Sequence, residues 1–79
     1  MRKLTKTEME DIAVERIYST LEMSDYKKGV LDTYLRIYGT SKGIREYLHD
    51  ELGKDLIGFL EEVVLIKENG HGEYYLLDL

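Results

Sequence analysis

Met9, Ala13, Val14, Ile17 and Leu21 recur at the three-to-four spacing that gathers apolar side chains on one face of a helix. The pattern predicts a helix over about residues 7–22. Thr7 with Glu10 three positions on forms a capping box, and Thr5 with Glu8 forms a competing one two residues earlier. A second helix follows, capped by Ser24 or Asp25. Its Tyr26, Val30, Leu31, Tyr34, Leu35, Ile37 and Tyr38 spread over a broad apolar arc, and Gly39 ends it. A third, opened by Thr40 or Ser41, turns Ile44, Tyr47, Leu48 and Leu52 inward and stops at Gly53. A short fourth from Lys54 buries Leu56, Ile57, Phe59, Leu60 and Val63. The period then changes: two runs of β-formers flank Asn69-Gly70-His71-Gly72, predicting a hairpin over about residues 64–78 with Tyr74 and Tyr75 on opposite faces.

Three to four helices followed by a C-terminal β-hairpin make an α+β chain. At 79 residues with no internal linker, one domain is expected. Residues 1–6 would be a basic arm, 7–22 the N-terminal helix, 25–63 the helical core and 64–78 the hairpin. This length is near the lower limit for a self-sufficient core, which favours a dimer or a bound partner. Cysteine is absent, so neither a disulfide nor a thiolate metal site supplements that core. No apolar run nears the roughly 20 residues of a membrane span, and the charged start lacks a signal peptide's apolar stretch. A soluble cytoplasmic protein is the expectation.

Charge alters the picture, because the formal net of -5 is regional. Arg2, Lys3 and Lys6 make the start basic, and Glu8, Asp11, Glu15 and Glu22 form an acidic stripe on the first helix. Residues 26–45 turn basic with Lys27, Lys28, Arg36, Lys42 and Arg45. From Glu46 onward there are nine acids against two lysines. On the fourth helix Lys54, Asp55, Gly58, Glu61 and Glu62 face outward.

Gly39-Thr40-Ser41, a helix, Gly53, another helix and a glycine-bearing hairpin resemble a winged helix-turn-helix domain over about residues 25–79. The resemblance implies that 41–52 is the first helix of the motif, 54–63 the recognition helix and the hairpin the wing. Residues 7–22 would be an extension, often a dimerisation element in such proteins, and a homodimer through this first helix is the expectation. His49 stands where the motif usually has a small side chain. Size, acidity and lack of cysteine also resemble small phage-encoded host-takeover proteins, including DNA mimics that block histone-like nucleoid proteins such as HU. The cytoplasm of a bacterial or phage-infected cell is the setting this implies.

DNA binding draws affinity from cations on phosphates and specificity from groups that reach base edges. The outward face of the fourth helix offers three carboxylates and one ammonium, which suits a basic protein better than a phosphate chain. The expected partner is therefore a protein, a basic DNA-binding or nucleoid protein being the sharpest form. Its candidate contacts are Asp11, Glu15, Glu22, Glu46, Asp50, Glu51, Asp55, Glu61 and Glu62. Acids one helical turn apart stand about 5–6 Å from each other, a spacing comparable with that of phosphates. Asp11 with Glu15, Glu46 with Asp50, and Glu51 with Asp55 across two nearly continuous helices would form such rows. Tyr18, beside the acidic stripe and opposite Ile12, is an interface aromatic candidate. The alternative is a winged-helix transcriptional regulator that contacts DNA through Lys27, Lys28, Lys42 and Arg45. Catalysis is not expected: there is no cysteine nucleophile, His49 and His71 lack zinc spacing, and no metal or cofactor is implied.

Overall fold

The structure, a computed structural model, describes residues 3–19, 25–63, 66–68 and 70–76. It has four α-helices followed by a two-stranded antiparallel hairpin: α1 Lys6–Ser19, α2 Asp25–Tyr38, α3 Thr40–Tyr47, α4 Leu56–Glu62, β1 Ile66–Glu68 and β2 Tyr74–Leu76. One widened π-helical turn, Leu48–Leu52, continues α3. The α+β architecture expected from the pattern is the one present. Among the described residues, no helix is long and apolar enough to cross a membrane.

The first helix begins earlier than its apolar face predicts. Of the two competing boxes, Thr5 with Glu8 is the one formed: the Thr5 amide donates to Glu8 Oε1 at 3.0 Å and the Glu8 amide donates to Thr5 Oγ1 at 3.1 Å. Leu4 explains the choice. Its amide donates to the Tyr74 carbonyl at 2.8 Å while its side chain is buried, and Lys3 forms an antiparallel bridge with Tyr75. The basic segment is thus docked on β2 from residue 3 onward rather than extended as an arm. Residues 20–24, into which the expected helix extends, lie outside the described residues, as do 1–2, 64–65, 69 and 77–79.

Met9, Ala13 and Ile17 bury the apolar face of α1 against α3 and α4. Leu31, Ile44, Tyr47, Leu48, Leu56, Phe59, Leu60 and Ile66 complete the core. The closest approach is α2 on α3, where Gly43 stands directly on the backbone of Tyr34 and Leu35. His49, by contrast, is exposed.

Gly53 sits at φ 66°, a left-handed conformation that ends the π-turn, and its amide and that of Lys54 donate to the His49 and Leu48 carbonyls. Asp55 follows in extended conformation and caps α4, accepting from the Gly58 amide at 2.6 Å. The two helices are therefore not continuous. Glu51 and Asp55 do not form the expected row, and α4 begins at Leu56 rather than Lys54. In the hairpin, Ile66 pairs with Leu76 and Glu68 with Tyr74. Neither Tyr74 nor Tyr75 is exposed, contrary to the alternation expected of a two-stranded ribbon; both are half-buried. The Lys3 bridge at Tyr75 covers a strand edge that the sequence pattern leaves open.

Candidate partner-binding surface

Of the four basic residues of the DNA-contact alternative, Arg45 and Lys42 make side-chain contacts within the chain. Glu10 turns inward to only 5% exposure and accepts from Ser41 Oγ at 2.7 Å and from the Arg45 guanidinium at 3.1 Å. Arg45 is thus a structural cation. Lys42 lies 5.2 Å above the Tyr38 ring, and Arg36 is paired with Asp32. Lys28 is half-buried and Lys27 exposed, both on the first turn of α2.

The acidic candidates separate into three groups. Asp11 and Glu15 are exposed one turn apart on α1, as expected, whereas Glu22 lies outside the described residues. Asp50 and Glu51 lie on the π-turn beside tyrosines. The Tyr34 hydroxyl donates to Asp50 Oδ2 at 2.8 Å, and His49 Nδ1 lies 3.1 Å from Asp50 Oδ1. Half-buried Glu46 lies on α3 before the widening that breaks regular turn spacing towards Asp50.

The third group lies on α4, its cap and β1. Burial raises the pKa of the Tyr74 phenol above its ordinary value, and the charges of Glu61, Glu68 and Asp55 raise it further. Three carboxylates from the cap of α4, its outer side and β1 therefore share one field. Glu61 and Glu62 are exposed, with Glu62 ion-paired to Lys54. Glu68 is absent from the candidates named from the sequence; its signal is the turn itself, because its carboxylate accepts from both the Gly70 and Gly72 amides at 3.0 Å. Tyr18 is 39% exposed, and Asp32 of α2 is the charge that contributes to raising its pKa after burial. Ile12 packs against the core, so the two do not rim the stripe on α1 as a pair.

A cleft of about 630 Å³ opens between the docked N-terminal segment, the start of α4 and the hairpin turn. Lys3, Lys6 and Arg45 edge it, over Leu4, Met9, Leu56 and Tyr74. Two of those cations are already balanced, Lys3 by Glu73 and Arg45 by Glu10.

Tyr34 gives the surface a pH signature. Its hydrogen bond to Asp50, with burial and the charges of Asp50 and Glu51, pushes its pKa up to about 12 from 10.0. Because the folded value is raised, the contribution to stability is fully present below about pH 10 and is lost as pH climbs towards 12. Tyr34→Phe should remove the latest step of a tyrosinate absorbance titration and lower the urea midpoint at neutral pH. A late step that persists in the variant would assign it to another tyrosine.

Comparison of the chain with known protein families, curated proteins and solved structures finds no match.

Proposed function

We propose that the chain is a non-enzymatic regulatory protein that works by contact, presenting the acidic side of α4 and β1 to a basic protein surface. The supporting observation is that Asp55, Glu61, Glu62 and Glu68 are all exposed on the α4-and-hairpin unit, the one that a winged-helix domain would turn towards DNA. Carboxylates on that unit repel phosphates and attract the lysines and arginines that bind them. The partner class that fits is a DNA-binding or nucleoid protein met in a bacterial or phage-infected cytoplasm, with the chain competing for its DNA groove. A regulator that itself grips DNA has less support, because Arg45 is tied to Glu10.

The test is displacement. The chain is titrated into a complex of an HU-type nucleoid protein with a labelled duplex at physiological salt, where the Debye length is about 8 Å. Displacement without any binding of the duplex by the chain itself is expected. Glu61→Lys with Glu62→Lys should weaken it at least about tenfold, equivalent to about 1.4 kcal/mol. Direct, steeply salt-dependent binding of the duplex by the chain would overturn the proposal in favour of the DNA-binding alternative. Failure to displace duplex from any basic DNA-binding protein tried would overturn it as well.

A further inference from the structure

The second helix is under-covered. It is 14 residues long, yet Leu31 is its one fully buried side chain among those described, while Tyr26 is 80% and Ile37 67% exposed. On a wheel of about 100° per residue, Leu31 and Leu35 turn towards the core and Tyr34 towards α3 and the π-turn. Tyr26, Val30, Thr33 and Ile37 line a separate stripe, of which Val30 is half-buried and also packs against the core. Their spacing of four, three and four is the repeat by which two helices make a seam. Tyr38 and Lys42, one above the other, border its far end.

We infer that a second copy of this chain covers this stripe, the two α2 helices lying antiparallel. With the two-fold axis midway between positions 31 and 32, Tyr26 stands level with Ile37 of the second copy and Val30 with Thr33. Large side chains meet at the ends and smaller ones at the centre. One edge is complementary too, since in an antiparallel pair each edge meets its own counterpart. Arg36 falls between Asp25 and Gly29 of the second copy. The like-charged pairs, Lys27 with Lys27 and Arg36 with Arg36, are nine positions apart along the axis, roughly 13 Å and beyond the Debye length. Asp32 lies nearer its own copy but is held by Arg36 of its own chain at 2.6 Å. Antiparallel packing also opposes the two helix dipoles.

Gly29 adds a separate indication. It lies in the interior of α2, exposed, and a Cβ there would meet nothing within 4 Å. Such a glycine weakens a helix by about 1 kcal/mol relative to alanine, and nothing among the described residues requires it. Beside the seam it gives Arg36 of the second copy room to approach.

The exposed parts of Tyr26, Ile37 and Tyr38 amount to roughly 300–500 Å² per copy, taking 150–250 Å² for each aromatic residue. A standard interface needs about 800 Å² per partner. The pair is therefore a weak, concentration-dependent dimer. It leaves the side of α4 and β1 open, so it does not rest on the proposed function and either can fail alone.

Sedimentation equilibrium of the full chain, from low micromolar to near-millimolar, should show monomer passing to dimer. Tyr26→Glu and Ile37→Glu should each raise the dissociation constant at least about tenfold while leaving the circular dichroism spectrum unchanged. Since the chain has no cysteine, Tyr26→Cys and Ile37→Cys variants can be mixed and treated with a short thiol cross-linker. The mixed pair should form in preference to either variant linked to itself. A chain monomeric throughout, a dimer indifferent to both glutamates, or preferential self-linking of the Tyr26→Cys variant would each overturn the inference.

Discussion

Arg45→Glu should unfold the chain at neutral pH. The guanidinium lies 3.1 Å from Glu10, whose side chain is only 7% exposed and has Ser41 as its other partner. Removing one member of a buried pair costs about 3–5 kcal/mol. Because the Arg45 side chain is itself 41% exposed, water can reach that end, and Arg45→Ala should cost less, about 2 kcal/mol. A carboxylate at position 45 adds repulsion to the lost attraction. A chain of this size has roughly 4–12 kcal/mol of total stability, so the glutamate variant takes a large part of it and, at the lower end of that range, all of it. Far-UV circular dichroism at pH 7 should show the loss. Two facing carboxylates raise each other's folded pKa, so the folded variant is favoured below the unfolded value of about 4.3 and disfavoured as pH rises through the raised one. Partial recovery of helix on acidification is thus expected, and adding Glu10→Gln should restore much of the fold at neutral pH. A fully folded, undiminished Arg45→Glu variant would mean that the Glu10 pair contributes nothing. The same result bears on function, because lost DNA binding in that variant would report unfolding and could not identify Arg45 as a phosphate contact.

Glu10 also shows where the sequence pattern stops being informative. Thr5 with Glu8 and Thr7 with Glu10 satisfy the capping pattern equally well, and local energetics do not choose between them. The choice comes from Leu4 bonding to Tyr74 some seventy positions away, which fixes Thr5 as the cap and leaves Glu10 to turn towards Arg45. The same kind of limit applies to α2. Seven apolar residues over half a wheel identify a helix, but one neighbour cannot cover so wide an arc, and only the packing tells which half remains outside. Element order, the glycine ends at Gly39 and Gly53 and the hairpin were legible because each rests on a local requirement: a periodicity, a positive φ or a turn. The acidic site was legible residue by residue and not as a surface. Glu61 and Glu62 are outward as the wheel predicts, while Asp55 also caps α4 and Glu68 also closes the turn. Bringing them together on one unit requires the hairpin to fold back beside α4.

Gly43→Ala should destabilise the chain even though alanine is the better helix former. A Cβ at position 43 would lie 2.7 Å from the Tyr34 carbonyl oxygen, 2.9 Å from Leu35 Cα and 3.0 Å from the Tyr34 carbonyl carbon. All three are backbone atoms, so no rotamer relieves the contact and the two helices must separate. Separation loosens Leu31, Ile44 and Tyr47, three of the best-buried side chains in the core. The propensity gain is about 1 kcal/mol, whereas overpacking of this kind costs typically 1–3 kcal/mol and occasionally more. Where backbone meets backbone the upper end applies, giving a net loss of about 1–2 kcal/mol, and Gly43→Val should lose more, being bulkier and having a smaller propensity gain to offset it. Gly29→Ala supplies the opposite control, measured at a concentration low enough to keep the chain monomeric. The chemistry is identical and the helix adjacent, but the space is open, so a gain of about 0.5–1 kcal/mol is expected. Urea midpoints moving in opposite directions for the two substitutions would separate steric closeness from helix propensity as the reason for glycine at each position. If both alanines stabilise, α2 and α3 do not pack backbone to backbone, and the covered side of α2 would have to be reassigned along with the exposed one.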